Sequence, residues 1–149
     1  MVIGIIGEHC SGKSTLAKEI NKMLKAEIIT GKDYLRMAKS ESEAIILFRQ
    51  KLESAIADRH VIYVMSEKEH MSFLPDGALT IYVKADLKTI QERFKARMHG
   101  KLPEPVARML ERKHGMFDGG SYDYEYDGTA GNASSLCAEL KESLVKLGE

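Results

Sequence analysis

The sequence predicts a three-layer α/β fold: a parallel sheet of about five strands flanked by helices. Three observations predict it. Short apolar runs alternate with helical patterns along the chain. The first run, Val2-Ile3-Gly4-Ile5-Ile6, leads into Gly7-Glu8-His9-Cys10-Ser11-Gly12-Lys13-Ser14, the G-x-x-x-x-G-K-S pattern of a phosphate-binding P-loop, and then into a helix. A later run, Val61-Ile62-Tyr63-Val64-Met65, is continuously apolar, as a strand covered on both faces must be.

The elements follow in order. Residues 14–25 carry Leu16, Ala17, Ile20 and Leu24 at helical spacing. Residues 26–30 form a second strand, stopped by Gly31, and 33–38 one or two helical turns. Ser42 is read as the N-cap of a helix bearing Ala44, Ile45, Leu47, Phe48, Leu52, Ile56 and Ala57, without the acid that completes a capping box. Residues 61–65 are the third strand. Pro75-Asp76-Gly77 turns the chain into a fourth strand, 79–83. Residues 86–98 form a helix with Leu87, Ile90, Phe94 and Met98 inward, and 104–114 another, with Pro105 in its first turn. Residues 122–126 are a fifth strand, whose Tyr122, Tyr124 and Tyr126 share one face and are assigned to sheet packing. Asp118-Gly119-Gly120 reads as a turn, as do residues 128–132. A closing helix, 133–147, carries Leu136, Leu140, Leu144 and Leu147. No repeat or linker divides the chain, so residues 1–149 read as one domain, with its ligand expected at the carboxyl ends of the strands.

The P-loop specifies a ligand class. A polyphosphate concentrates negative charge, so its cradle needs many donors aimed at one place. Gly7 and Gly12 let the backbone curl with its N–H groups inward, and the helix starting near Lys13 adds its unpaired N–H groups and the positive end of its dipole. Lys13 is expected to bridge the β- and γ-phosphates and the Ser14 hydroxyl to ligate Mg²⁺. The expected cradle is Gly7, Glu8, His9, Cys10, Ser11, Gly12, Lys13, Ser14 and Thr15, and the expected cofactors are ATP and Mg²⁺. His9 and Cys10 read as residues at variable loop positions, although a helix N-terminus is also a place where a thiol is activated.

The 149 residues balance 22 basic against 22 acidic side chains, so no global field draws in nucleic acid. Two cysteines without C-x-x-C spacing argue against a disulfide framework or a zinc site, and the five histidines show no ligand spacing. The chain shows neither a membrane-span pattern nor a signal-peptide pattern, which makes the cytoplasm the expected compartment.

Three further stretches carry a resemblance. Thr30-Gly31-Lys32-Asp33-Tyr34-Leu35-Arg36 resembles the S-T-G-D-x-L-R segment of adenylate kinases, with Lys32 as a one-residue insertion. Arg93 and Arg97, four apart on one helix, resemble the arginine pair at the lid base of nucleoside monophosphate kinases. Tyr126-Asp127-Gly128-Thr129 is similar to the D-G-T turn near the donor base in that superfamily. The resemblance implies that Thr30 lies near the acceptor, that Arg36 binds the acceptor's phosphate, that Asp33 serves acceptor or metal, and that Gly128 and Thr129 flank the nucleotide. The chain departs from adenylate kinases after the third strand, where D-G-[FY]-P-R is replaced by Ser66-Glu67-Lys68-Glu69. There Glu67 becomes the expected partner of the Mg²⁺ shell and Lys68 of an acceptor phosphate.

The acceptor-side insert, about residues 31–59, is short. Residues 98–119, with Gly100, Pro103, Pro105 and Gly115 as turns and hinges, are expected to form a lid carrying Lys101, Arg108, Arg112 and Lys113. The resulting expectation is an ATP-dependent phosphotransferase with Lys13, Arg93, Arg97, Arg108 and Arg112 as its catalytic cations. Its partner is a small-molecule acceptor, a nucleotide or nucleoside ahead of a sugar acid, although shikimate and gluconate kinases share this outline. The alternative is a nucleotide-binding sensor or scaffold without transfer activity. A hydrolase or a polynucleotide 5′-hydroxyl kinase is a lesser variant, the balanced charge arguing against nucleic-acid substrates. Whether the protein is a monomer or a homodimer is left open.

Overall fold

A computed structural model describes the backbone of residues 1–147 and the side chains of residues 1–144. Five strands, β1 (Val2–Gly7), β2 (Glu27–Thr30), β3 (Val61–Met65), β4 (Leu79–Lys84) and β5 (Tyr124–Asp127), form one sheet in the order β2-β3-β1-β4-β5. Every pairing is parallel. The α-helices among the described residues are α1 (Lys13–Leu24), α2 (Glu41–Asp58), α3 (Leu87–Arg97), α4 (Glu104–Lys113) and α5 (Ser134–Leu147).

β1 is central and buried at all six positions, because the pleat presents alternate side chains to two covered faces. Ile3 and Ile5, with Ile62, Val64, Ile81 and Val83, pack against Leu16 and Ile20 of α1 and Leu136 and Leu140 of α5. Val2 and Ile6, with Tyr63, Met65 and Tyr82, meet Phe48 and Leu52 of α2 and the fully buried Phe117. A third cluster, Cys10, Ala85, Ile90 and Leu110, joins the P-loop to α3 and α4. β2 and β3 are added on one side of β1 and β4 and β5 on the other, so the crevice at this switch, at the carboxyl end of β1, lies where the P-loop emerges.

Several boundaries differ from expectation. The N-cap of α2 is Ser40, not Ser42: the Ser40 hydroxyl accepts from the Glu43 N–H at 3.2 Å. Ser40 and Glu43 have the capping-box spacing that Ser42 lacks. β5 begins at Tyr124, and Tyr122 lies before it, on the other side of the sheet. There Tyr122 donates to the Phe117 carbonyl at 2.7 Å, while Tyr124 and Tyr126 pack toward α1 and α5. Asp118 is more than a turn residue: it accepts from the Tyr82 hydroxyl at 2.8 Å. A 3₁₀ turn, Lys68–Phe73, lies beyond any periodic signal because it is too short to show one. The Leu147 side chain lies outside the described residues. Among the described residues, no helix is long and apolar enough to cross a membrane.

Candidate functional site

The P-loop conformation follows from two left-handed residues, Cys10 at φ 62° and Gly12 at φ 110°. Gly12 suits that region, whereas Cys10 carries its strain there. Gly7 is required by space: a Cβ would lie 2.5 Å from the Val83 carbonyl oxygen and 2.7 Å from Ser11 Oγ. Gly12 is also the N-cap of α1 and offers no side chain, so no side chain caps the first-turn N–H groups. That leaves donors and dipole for an anion.

Lys13 is buried, and its ammonium donates to the Glu8 carbonyl at 2.6 Å. Burial, foremost, drives it down to about 8; the nearby Cys10 and Glu8 pull it up and Arg97 pushes it down. The Cys10 side chain packs in the apolar cluster under α3 and α4. The Glu8 carboxylate turns away from the loop mouth, with one oxygen 3.1 Å from His114 Nδ1 and the other accepting from the Gly115 N–H at 3.1 Å. The expected lid, 98–119, is therefore fastened at its far end, where Glu8 holds 114–115 and Phe117 is buried.

A clamp closes the back of the loop. Arg93 donates to the Cys10 carbonyl at 3.1 Å and to the Gly128 carbonyl at 2.7 Å. The Gly128 N–H donates to the Lys84 carbonyl at 2.7 Å, and Thr129 Oγ1 accepts from the Asp86 N–H at 2.9 Å. A Cβ on Gly128 would overlap the Ser11 carbonyl oxygen. Gly128→Ala is therefore expected to displace the P-loop, destabilise the fold by about 1–3 kcal/mol and weaken nucleotide binding at least tenfold. Thermal unfolding and nucleotide calorimetry check it, and a variant that binds and melts as wild type does would refute the clamp.

In front of the loop lies a cavity of about 300 Å³ between the P-loop and the carboxyl ends of β2 and β3. It is lined by His9, Cys10, Gly12, Lys13, Ser14, Thr15, Thr30, Gly31, Lys32, Val64, Ser66, Glu67, His70 and Arg97. The structure thus brings together Lys13, Ser14, Thr30, Glu67 and Arg97. Asp33 and Arg36 line a separate cleft of about 200 Å³ with Glu27 and Lys51, and the Asp33 carboxylate accepts from the Thr30 N–H at 3.3 Å. Lys68 is exposed and outside the cavity. Arg108 is exposed and paired with Glu104 at 2.5 Å, while Arg112 is exposed and also outside.

Three residues that line the cavity escaped the sequence reading as site residues: Lys32, Ser66 and His70. Burial foremost, then the charges of Lys13 and Lys113, lower the His9 pKa; Glu67 opposes them and Arg97 adds to them. Lys113 from α4 therefore reaches the field of the cavity. His70 had no signal, since it arrives on the 3₁₀ turn. Among the described residues, no group of three or more His, Cys, Asp or Glu side chains is arranged to hold a metal alone. The donor set fits Mg²⁺ carried by phosphates instead, with the Ser14 hydroxyl and the Glu67 carboxylate bordering one cavity and Asp33 outside it.

This architecture is the fold of the P-loop small kinases. Shikimate kinase from Bacteroides thetaiotaomicron is 17% identical, with 97% of this chain and 98% of that one covered at a TM-score of 0.60. Shikimate kinase from Acinetobacter baumannii, solved in complex with shikimate, is 12% identical, covering 97% and 93% at 0.62. A gluconokinase from Sinorhizobium meliloti 1021 is 16% identical, covering 99% and 97% at 0.62. No family model matches the chain, and no curated protein matches it in sequence.

Proposed function

We propose that the protein transfers the γ-phosphoryl group of Mg·ATP to a hydroxyl of a small acceptor. One observation carries this reading: a P-loop lysine, the Ser14 hydroxyl and the Arg97 guanidinium share one cavity with an acceptor-side wall of Thr30, Lys32, Glu67 and His70. Phosphoryl transfer needs alignment, exclusion of water and neutralised charge rather than covalent chemistry. The uncapped start of α1 and Lys13 would hold the phosphates, and Arg97 would face the oxygens that gain charge. Mg²⁺, held by Ser14 with Glu67 beside it, would supply further neutralisation between the phosphates.

The acceptor favoured by this geometry is a small hydroxylated anion rather than a nucleoside monophosphate. The cavity is about 300 Å³, little room for a second nucleotide beside a triphosphate. Arg36, expected to bind an acceptor phosphate, faces another cleft. Lys32, which lines the cavity, remains to meet a carboxylate. The shikimate kinases and gluconokinase of like fold support the same size class.

An ADP-release assay over shikimate, gluconate, nucleosides and nucleoside monophosphates tests the reading. Acceptor-stimulated turnover by a hydroxy acid is expected. ATP binding without stimulated turnover anywhere in the panel would favour a sensor or scaffold.

A further inference from the structure

We propose that Glu67 and His70 together form an acceptor subsite that reads one hydroxyl group. The inference rests on the phosphotransfer reading, which makes this the acceptor end of the cavity.

His70 is 4% exposed yet borders the cavity. Its ring stacks on Phe73 at 5.5 Å and meets the edge of Tyr34 at 5.9 Å, so its orientation is set by packing. Its Nδ1 is buried with no hydrogen-bond partner among the described residues. A proton there would be an orphaned donor, which folded proteins rarely tolerate, so the proton belongs on Nε2. Nε2 faces Glu67 Oε2 across 3.6 Å. That gap is too wide for a direct hydrogen bond. It is also too narrow for an oxygen to lie between the two atoms, but a hydroxyl oxygen seated beside the pair, on the cavity side, reaches both, accepting from Nε2–H and donating to the carboxylate. An alcohol is donor and acceptor at once, and so matches both sides; a carboxylate or phosphate oxygen matches only the imidazole. A carboxylate accepts several bonds, so the bridge leaves Glu67 capacity for the water shell of Mg²⁺. Tyr63, whose ring lies 6.2 Å from that of His70, donates from its hydroxyl to the Gly31 carbonyl at 2.8 Å and ties down the chain leaving β2.

Calorimetry tests this on protein saturated with Mg²⁺ and a non-hydrolysable ATP analogue, using shikimate, D-gluconate and D-glycerate as probes. At least one probe is expected to bind wild type. Its affinity should fall about tenfold or more in His70→Phe, which keeps the aromatic packing, and in Glu67→Gln. His70→Gln, whose amide nitrogen replaces Nε2–H, should recover most of the loss, with nucleotide affinity within about twofold of wild type in both His70 variants. Unchanged probe affinity in His70→Phe would overturn the subsite, as would a His70→Gln variant as weak as His70→Phe, or no probe binding at millimolar concentration. A probe bound through the pair but never phosphorylated would sink the phosphotransfer reading alone. A probe phosphorylated equally well by His70→Phe would sink the subsite alone.

Discussion

Lys13→Met is expected to abolish Mg·ATP binding and, at the same time, to make the folded protein more stable. The ammonium sits in a nearly closed site, 7% exposed, with one short bond to the Glu8 carbonyl. Its pKa of about 8 lies below the ordinary lysine value of 10.5 because burial strips its water. The folded protein thus holds this proton less tightly than the unfolded chain does, and the charge opposes folding by on the order of 3 kcal/mol at neutral pH. The penalty is complete below about pH 8 and fades as the pH rises toward 10.5. Denaturant unfolding should show the variant ahead of wild type at pH 7 and the gap narrowing by pH 9.5. Methionine fills the space without the charge, and the Glu8 carbonyl keeps the Ser11 N–H at 3.2 Å.

Binding runs the other way. A polyphosphate supplies a negative partner and draws the ammonium back to its charged form. Wild-type affinity for ATP should therefore fall as the pH rises through about 8, and binding in that range should take up a proton, seen as a buffer-dependent heat. A variant that is less stable at pH 7, or that still binds ATP within tenfold of wild type, would show that Lys13 is not a strained phosphate ligand.

Arg97→Ala is expected to lower kcat by about 10²–10³ with little change in the KM for ATP. Arg97 is the one arginine of α3 and α4 that borders the cavity. A guanidinium there can give two parallel bonds to phosphoryl oxygens that gain charge only during transfer. The other arginines should separate cleanly from it. Arg108→Ala and Arg112→Ala remove exposed side chains outside the cavity and should leave kcat within about twofold. Arg93→Ala removes two bonds to loop carbonyls, so it should reduce stability and nucleotide affinity before it reduces the chemical step. Steady-state kinetics with unfolding curves on the four variants checks this. Equal losses of kcat in Arg97→Ala and Arg108→Ala would refute the assignment.

The parallel sheet and the P-loop were legible because their causes are local. A buried strand shows as a continuous apolar run. A loop that curls around phosphate shows as glycines at a set spacing before a lysine that starts a helix. Those residues are neighbours in the chain, and the backbone geometry they allow does not depend on distant segments. Arg93 and Arg97 mark the limit. They lie four apart on one helix, with the same chemistry, yet one is spent on the carbonyls of Cys10 and Gly128 while the other borders the cavity. Asp33 and Thr30 divide in the same way across a three-residue interval. His70 joins the site only because a 3₁₀ turn, held by Tyr34 and Phe73, brings it beside Glu67. The sequence by itself thus determined the fold class and the phosphate cradle. Only the tertiary structure decided which side chains share the cavity, because a side chain's direction depends on how the carboxyl ends of β2 and β3 and the end of α3 pack, and those lie tens of residues apart in the chain.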